Sequence, residues 1–267
     1  MNEYFIDYAS IRVYVRDNIT QSDKLPVVFL HGLGSASSIY DPAFAEPFLV
    51  GRTLCFDFPG FGKSDKPRDY SYALTEQAEC LRAVLDKAGL ERVTLVAHSM
   101  GGVIAILFAA AHPERVARLV LAEANLDPAN AKISRKIADY GSEERFTDAF
   151  ESFIGYYNRP HSPSAYRFYT TLTQSTAYSL YRSAASLVSH VDEAFYQKFL
   201  SLPMPRWFMR GGDSYHAFSA WMLGDLSAHG IPVVVIPHAG HSMMEDQPIA
   251  FFAALRDIEL ELPPQRK

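Results

Sequence analysis

The segment VTLVAHSMGGVIAILFAAAHP, residues 93–113, joins two different elements with almost no linker. Val93 to Ala97 is a short apolar, β-branched run, and from Met100 an alanine- and aliphatic-rich stretch continues to Pro113, as a buried helix would. An apolar strand that turns at once into a helix belongs to a sheet covered on both faces. Further short apolar runs repeat the pattern: Val27 to Leu30 in LPVVFLHGLG, then RTLCFDFPGFG, ARLVLAE, PRWFMR and PVVVIP. Between them Leu74, Ala78, Leu81, Val84, Leu85 and Ala88 recur at helical spacing and stop at Gly89. Two β-rich runs around Ala9-Ser10 read as an opening hairpin. The expectation is an α/β fold: a mostly parallel, eight-stranded twisted sheet with helices on both faces.

From about Asn125 to Pro203 the alternation stops and aromatic and hydroxyl residues take over, as in ESFIGYYNRPHSPSAYRFYTTLTQSTAYSLYRSA. A segment this long has to carry helices of its own. It reads as a helical cap, residues 125–203, inserted before the last two strands of a core formed by 1–124 and 204–267. Its tyrosines can serve as apolar helix faces, or line a pocket while offering hydroxyls. Tyr156, Tyr157, His161, Tyr181 and His190 are the candidates for substrate contact. Glu143, Glu144, Asp148 and Glu151 read as an exposed helix face.

Hydrophobic residues make up 48% of the chain against 21% charged, enough for a large core without disulfides or metals. Cys55 in a strand and Cys80 in a helix read as reduced, buried thiols. A net charge of −5 offers no extended cationic surface, so nucleic acid is a poor candidate partner. The longest apolar run, Val103 to Ala111, falls far short of the roughly 20 residues that span a bilayer. The start, MNEYFIDYAS, is acidic where a signal peptide needs basic residues, which points to a cytoplasmic protein. Spacing says nothing about oligomeric state.

Ser99 falls where a strand-to-helix turn places a residue above the carboxyl edge of the sheet, the usual ligand position in α/β proteins. A serine there can be a helix N-cap. Gly101-Gly102 favours instead a sharp turn that needs neighbours without side chains, with Ala97 standing where such elbows usually have glycine. A serine nucleophile requires a base. PHAGHSMMEDQP, after the last strand, supplies His241 on a loop at the same sheet edge. His238 and His241 could pair on a metal, but no second ligand cluster accompanies them, so no metal is expected. Acyl transfer also needs donors for the oxyanion, each contributing roughly 3 to 4 kcal/mol. HGLG could aim the Leu33 N–H into the site, and Met100 N–H lies at the helix N-terminus. His31 reads mainly as shaping this loop; His31, Gly32 and His98 are further candidates for substrate contact.

HGLG, DFPGFGKSD, AHSMGG, HPERVARLVL and HAGHSMMEDQP, in this order, resemble the serine-nucleophile α/β-hydrolase superfamily from about residue 25 to 255, with only the cap unmatched. The resemblance implies Ser99 as nucleophile, His241 as general base, Leu33 and Met100 as oxyanion donors, and no cofactor. It leaves two candidates for the acid that orients the histidine. Most members carry it after the strand that follows the cap, in the pattern glycine, two residues, aspartate. Here Ser214 stands three after Gly211 and Asp213 falls one residue early, which turns its side chain elsewhere. Some members place the acid after the strand preceding the cap, where Glu123 of LVLAEANLDP sits. Together these observations favour Glu123, with Asp213 the alternative. Relatives that form an ester on aspartate are excluded by Ser99. The expected chemistry is hydrolysis of an ester or lactone of a small to medium, partly apolar molecule through an acyl-serine. The same triad could serve carbon–carbon bond hydrolysis or cleavage of N-terminal proline, and a slow or non-hydrolysing ligand receptor is the reading from another class.

Overall fold

In a computed structural model, which describes residues 1–20, 22–45, 51–214 and 220–260, the eight expected strands form one sheet. They are β1 (Asn2–Tyr8), β2 (Ile11–Asp17), β3 (Val27–Leu30), β4 (Thr53–Phe56), β5 (Val93–His98), β6 (Val116–Ala122), β7 (Arg206–Gly211) and β8 (Val233–Ile236), in the order β1-β2-β4-β3-β5-β6-β7-β8. The β1/β2 and β2/β4 pairs are antiparallel and all others parallel. Ala9 and Ser10 both take positive φ, 47° and 67°, the twist a two-residue hairpin needs.

The helices are α1 (Asp41–Ala45), α2 (Leu74–Lys87), α3 (Met100–Ala111), α4 (Lys132–Ala138), α5 (Glu143–Gly155), α6 (Pro163–Leu172), α7 (Ala177–His190), α8 (Glu193–Ser201), α9 (Ala220–Ala228), α10 (Met243–Asp246) and α11 (Pro248–Leu260). Strand side chains alternate between the two layers they separate. In β3, Val28 and Leu30 join the apolar layer of α2, α3 and α9, while Val27 and Phe29 meet Met243 and Met244 of α10 and Phe251 and Phe252 of α11. Every residue of β3, β4 and β5 is buried, which is why these strands read as continuous apolar runs. Both cysteines are free and buried, and burial pushes both thiols up. Among the described residues no helix is long and apolar enough to cross a membrane.

Helices α4 to α8 fill the chain between β6 and β7. Ser142, Thr176 and Asp192 start α5, α7 and α8 by accepting the N–H of Arg145, Ser179 and Phe195. Phe146, Phe153, Leu180, Leu187 and Phe199 continue the layer that covers α2 and α3, so much of the aromatic content is core. Glu144, Asp148 and Glu151 are exposed as expected, whereas Glu143 is not. Its side chain, 15% exposed, pairs with Arg182 at 2.6 Å and with Arg68, tying the start of α5 to α7 and to the loop before α2. Of the expected core segment 204–267, residues 215–219 and 261–267 lie outside the described residues.

Topology decides where a ligand can sit. From β3 the chain moves to β4 on one side, and from β5 to β6 on the other, so the loops after β3 and β5 part above the sheet. A crevice at such a reversal is the ligand position of open α/β sheets.

Candidate active site

Ser99 is the single residue between β5 and α3. Its φ of 52° and ψ of −119° put it in a region that side chains rarely adopt. The turn is held by Ser99 N–H on the Ala122 carbonyl at 3.1 Å and Gly102 N–H on the Ser99 carbonyl at 2.9 Å. The side chain does not cap α3; its hydroxyl instead donates to Asn125 Oδ1 at 3.4 Å. The glycines serve close approach. A Cβ on Gly101 would lie 2.6 Å from the His31 carbonyl oxygen, and one on Gly102 2.3 Å from the Ala124 Cβ. Strain is therefore carried by Ser99 itself, and Ala97, fully buried in β5, is accommodated.

The loop after β3 comes up against this elbow. A Cβ on Gly32 would approach the Ser99 Cβ to 3.0 Å, so only glycine lets the two loops meet this closely. Among the described residues, the N–H groups of Leu33 and Met100 donate to no protein acceptor. His31 is fully buried and does not face the cavity, contrary to the expectation of substrate contact. Phe58 N–H donates to its Nε2 at 3.0 Å, which leaves the ring proton on Nδ1 to reach the Gly32 carbonyl at 2.8 Å. Burial lowers the ring's pKa, against the pull of Asp57. Asp57 in turn accepts from Ser37 N–H and Lys63 N–H, so the DFPGFGKSD motif braces the loop.

Glu123 follows β6 with φ of 47° and is 1% exposed. Its Oε2 lies 2.7 Å from His241 Nδ1 and accepts the Ser214 hydroxyl at 2.8 Å; Oε1 accepts Gly211 N–H at 2.9 Å. Three donors on one carboxylate offset its desolvation. An acceptor-only carboxylate at Nδ1 requires the proton there, leaving the lone pair on Nε2. Burial pushes His241 down to about 4, while the adjacent carboxylate favours the imidazolium. Asp213 is exposed, and among the described residues its carboxylate meets no donor. Among the described residues of that loop, Ser214, three after Gly211, reaches Glu123 with its hydroxyl.

Ser99 and His241 line one cavity of about 560 Å³, together with Gly32, Leu33, His98 and Asn125. Helix α4, the turn after α5 and helix α6 supply its other wall, where Tyr156, Tyr157 and Phe168 face it. The His98 ring lies 4.5 Å from that of His241, centroid to centroid. Tyr181 and His190, expected at the substrate, are not on the cavity wall. Tyr181 packs on Phe146, and His190 Nδ1 meets the Ser186 carbonyl at 2.7 Å at the end of α7. His161 is exposed and also outside it. The sequence carries no signal for Asn125, and for Ser214 only its spacing of three from Gly211. Among the described residues no group of three His, Cys, Asp or Glu could hold a metal ion.

Residues 26–248 match the alpha/beta hydrolase fold family. The chain belongs to that family. Among curated α/β hydrolase relatives, it is 39% identical over 117 residues to a 2-hydroxy-6-oxononadienedioate/2-hydroxy-6-oxononatrienedioate hydrolase of Paraburkholderia phymatum, covering 42% of this chain and 40% of that one. It is 36% identical over 103 residues to the abhydrolase domain-containing protein abhd-5.2 of Caenorhabditis elegans, covering 38% of this chain and 23% of that one. The match thus spans less than half the length of these relatives. A thermophilic esterase from Thermogutta terrifontis shares the fold with a TM-score of 0.77 at 21% identity, over 97% of this chain and 98% of that one.

Proposed function

We propose that this α/β hydrolase cleaves a carboxylic ester or lactone through an acyl-serine, with Ser99 as nucleophile, His241 as general base and Glu123 as the orienting acid. The observation that carries the reading is the 2.7 Å contact between His241 Nδ1 and Glu123 Oε2, on a histidine that shares its cavity with Ser99. In this scheme Nε2 takes the Ser99 proton as Oγ attacks the carbonyl carbon. The N–H groups of Leu33 and Met100, which have no protein acceptor among the described residues, stabilise the oxyanion. Collapse expels the alcohol, and water then releases the acid. Ser99 moves from Asn125 toward His241 as the substrate enters. Residues 125–203 act as a cap over the site, and their aromatic wall suits a small to medium, partly apolar molecule.

Similarity to a relative named for hydrolysis of 2-hydroxy-6-oxononadienedioate supports carbon–carbon bond hydrolysis as the second reading. Both readings use the same nucleophile, so one pair of assays separates them. Fluorophosphonate labelling mapped by mass spectrometry is expected at Ser99 and absent from Ser99→Ala. A panel of 4-nitrophenyl esters, lactones and vinylogous 1,5-diketones then identifies the bond. Labelling at another residue contradicts the whole scheme, and turnover of diketones alone replaces ester hydrolysis with the second reading.

A further inference from the structure

One buried amide touches the nucleophile without belonging to the triad or the oxyanion loop. Asn125 is 4% exposed, lines the cavity and has Oδ1 3.4 Å from Ser99 Oγ. Its Nδ2 donates to the Asn130 carbonyl at 2.8 Å. That bond sets the orientation of the amide: a carbonyl needs a donor, so nitrogen faces Asn130 and oxygen faces Ser99. In the free protein the Ser99 hydroxyl is the donor that Oδ1 receives. Once Ser99 carries an acyl group, Oγ has no hydrogen, and Oδ1 is left a buried acceptor with no donor from Ser99. Such an acceptor is costly to leave unmatched. Water can fill the role because it has two O–H bonds, one for Oδ1 and one for His241 Nε2.

We propose that Asn125 is a catalytic residue of deacylation, its Oδ1 holding the attacking water at the acyl carbon while His241 takes a proton. The proposal rests on the acyl-serine reading. In the free protein Oδ1 already stands 3.4 Å from Oγ, so when Oγ turns toward His241 and is acylated, a water that takes up the vacated Oδ1 bond lies between Asn125 and the acyl-bearing serine, on the side from which it can approach the acyl carbon. In the step, the water oxygen bonds to the acyl carbon and the carbonyl π pair moves onto the oxyanion. One water proton passes to Nε2. Collapse of the oxyanion breaks the carbon–Oγ bond, and the Nε2 proton goes to Oγ. The other water hydrogen, donated to Asn125 throughout, stays on the product acid.

Methanol makes the test selective, because its single O–H must go to His241 and leaves nothing for Asn125. With a 4-nitrophenyl ester in aqueous methanol, the ratio of methyl ester to free acid reports only the fate of the acyl-enzyme, whatever the rate of its formation. Asn125→Leu is expected to raise that ratio about tenfold, the effect of losing roughly one hydrogen bond from water alone. Asn125→Asp keeps an oxygen acceptor toward Ser99 and, assayed in the acid range where its second oxygen carries the proton that the Asn130 carbonyl requires, is expected to bring the ratio back to within about twofold of the unaltered protein at the same pH. Asn125→Ala serves in place of the leucine variant if that one does not fold, as judged by thermal melting and by phosphonate labelling of Ser99. An unchanged ratio in folded, labelled Asn125→Leu or Asn125→Ala overturns the proposal. Failure of the unaltered protein to label at Ser99 removes the acyl-serine reading instead, so the two failures are distinct.

Discussion

The loops at the carboxyl edge of the sheet and the helices between β6 and β7 meet at one cavity but hold their residues by different means. At the sheet edge the backbone does the positioning. Ser99 and Glu123 both stand at positive φ, and Glu123 is gripped by Gly211 N–H, the Ser214 hydroxyl and His241. On the helical side, stacked rings form the wall: Tyr157 lies edge-on to Phe168 at 5.0 Å and to Tyr156 at 5.2 Å, and Lys136 and Arg159 sit over the Tyr156 ring. A strained, fully bonded loop admits few substitutions, whereas a wall of rings can exchange members and change shape. Rate and substrate choice should therefore separate along this division.

The largest expected effect is Ser99→Ala, which should lower ester turnover by roughly 10⁴-fold or more while leaving the melting temperature nearly unchanged. Retained turnover would end the division at once. Next is the acid limb of kcat/KM. In the proposed scheme the His241 imidazole must be neutral to accept the serine proton, and burial takes it down to about 4. Activity should stay level to about pH 5 and then fall toward tenfold per unit below about 4. A limb centred at 6.5 or above would show that attraction to Glu123 outweighs burial. Tyr157→Ala should raise KM about tenfold for esters with bulky acyl groups and barely alter kcat. A loss confined to kcat would mean that the wall shapes the chemistry as well.

The smallest effect concerns Glu245, which lines the cavity beyond His241 and pairs with Arg167 of α6 at 3.4 Å. Burial raises its carboxyl to about 7, from 4.5, against the pull of Arg167. The folded protein thus keeps a proton that the unfolded chain releases. Its contribution to stability is full below about pH 4.5 and lost as pH rises through 7, a change of about 3 kcal/mol. Glu245→Gln should flatten the fall in urea midpoint between pH 5 and 8. An unaltered slope would assign the pH dependence to other groups.

The same division explains which parts of the molecule are legible in its sequence. The strands were legible because burial on both faces leaves apolar or β-branched residues throughout Val27–Leu30 and Val93–Ala97, Thr94 being the one with a hydroxyl. Ser99 and His241 were legible because elbow and loop are local patterns, with glycines whose absent side chains make room for neighbouring loops. Tyr156 and Tyr157 do face the cavity, but Tyr181 and His190 do not, since helix rotation depends on packing partners such as Phe146. Ser214 and Asn125 were missed for a related reason. Each acts through a contact with a distant or strained partner, and one-residue offsets after a strand change which atom it meets. Glu143 shows the converse: its sequence neighbours are solvated while Arg68 and Arg182 draw it inward.

Comparing kcat for 4-nitrophenyl acetate in Glu123→Gln and Asp213→Asn tests the assignment of Ser99, His241 and Glu123 most directly. Glutamine retains the shape of Glu123 but not its charge, and its NH2 must face either Gly211 N–H or His241 Nδ1, both donors, so the imidazole loses its fixed orientation and the imidazolium its charged partner. Turnover should fall by about 10³-fold or more in Glu123→Gln and by less than about twofold in Asp213→Asn. Equal, small losses from both, or a large loss from Asp213→Asn alone, would contradict Glu123 as the acid of the site.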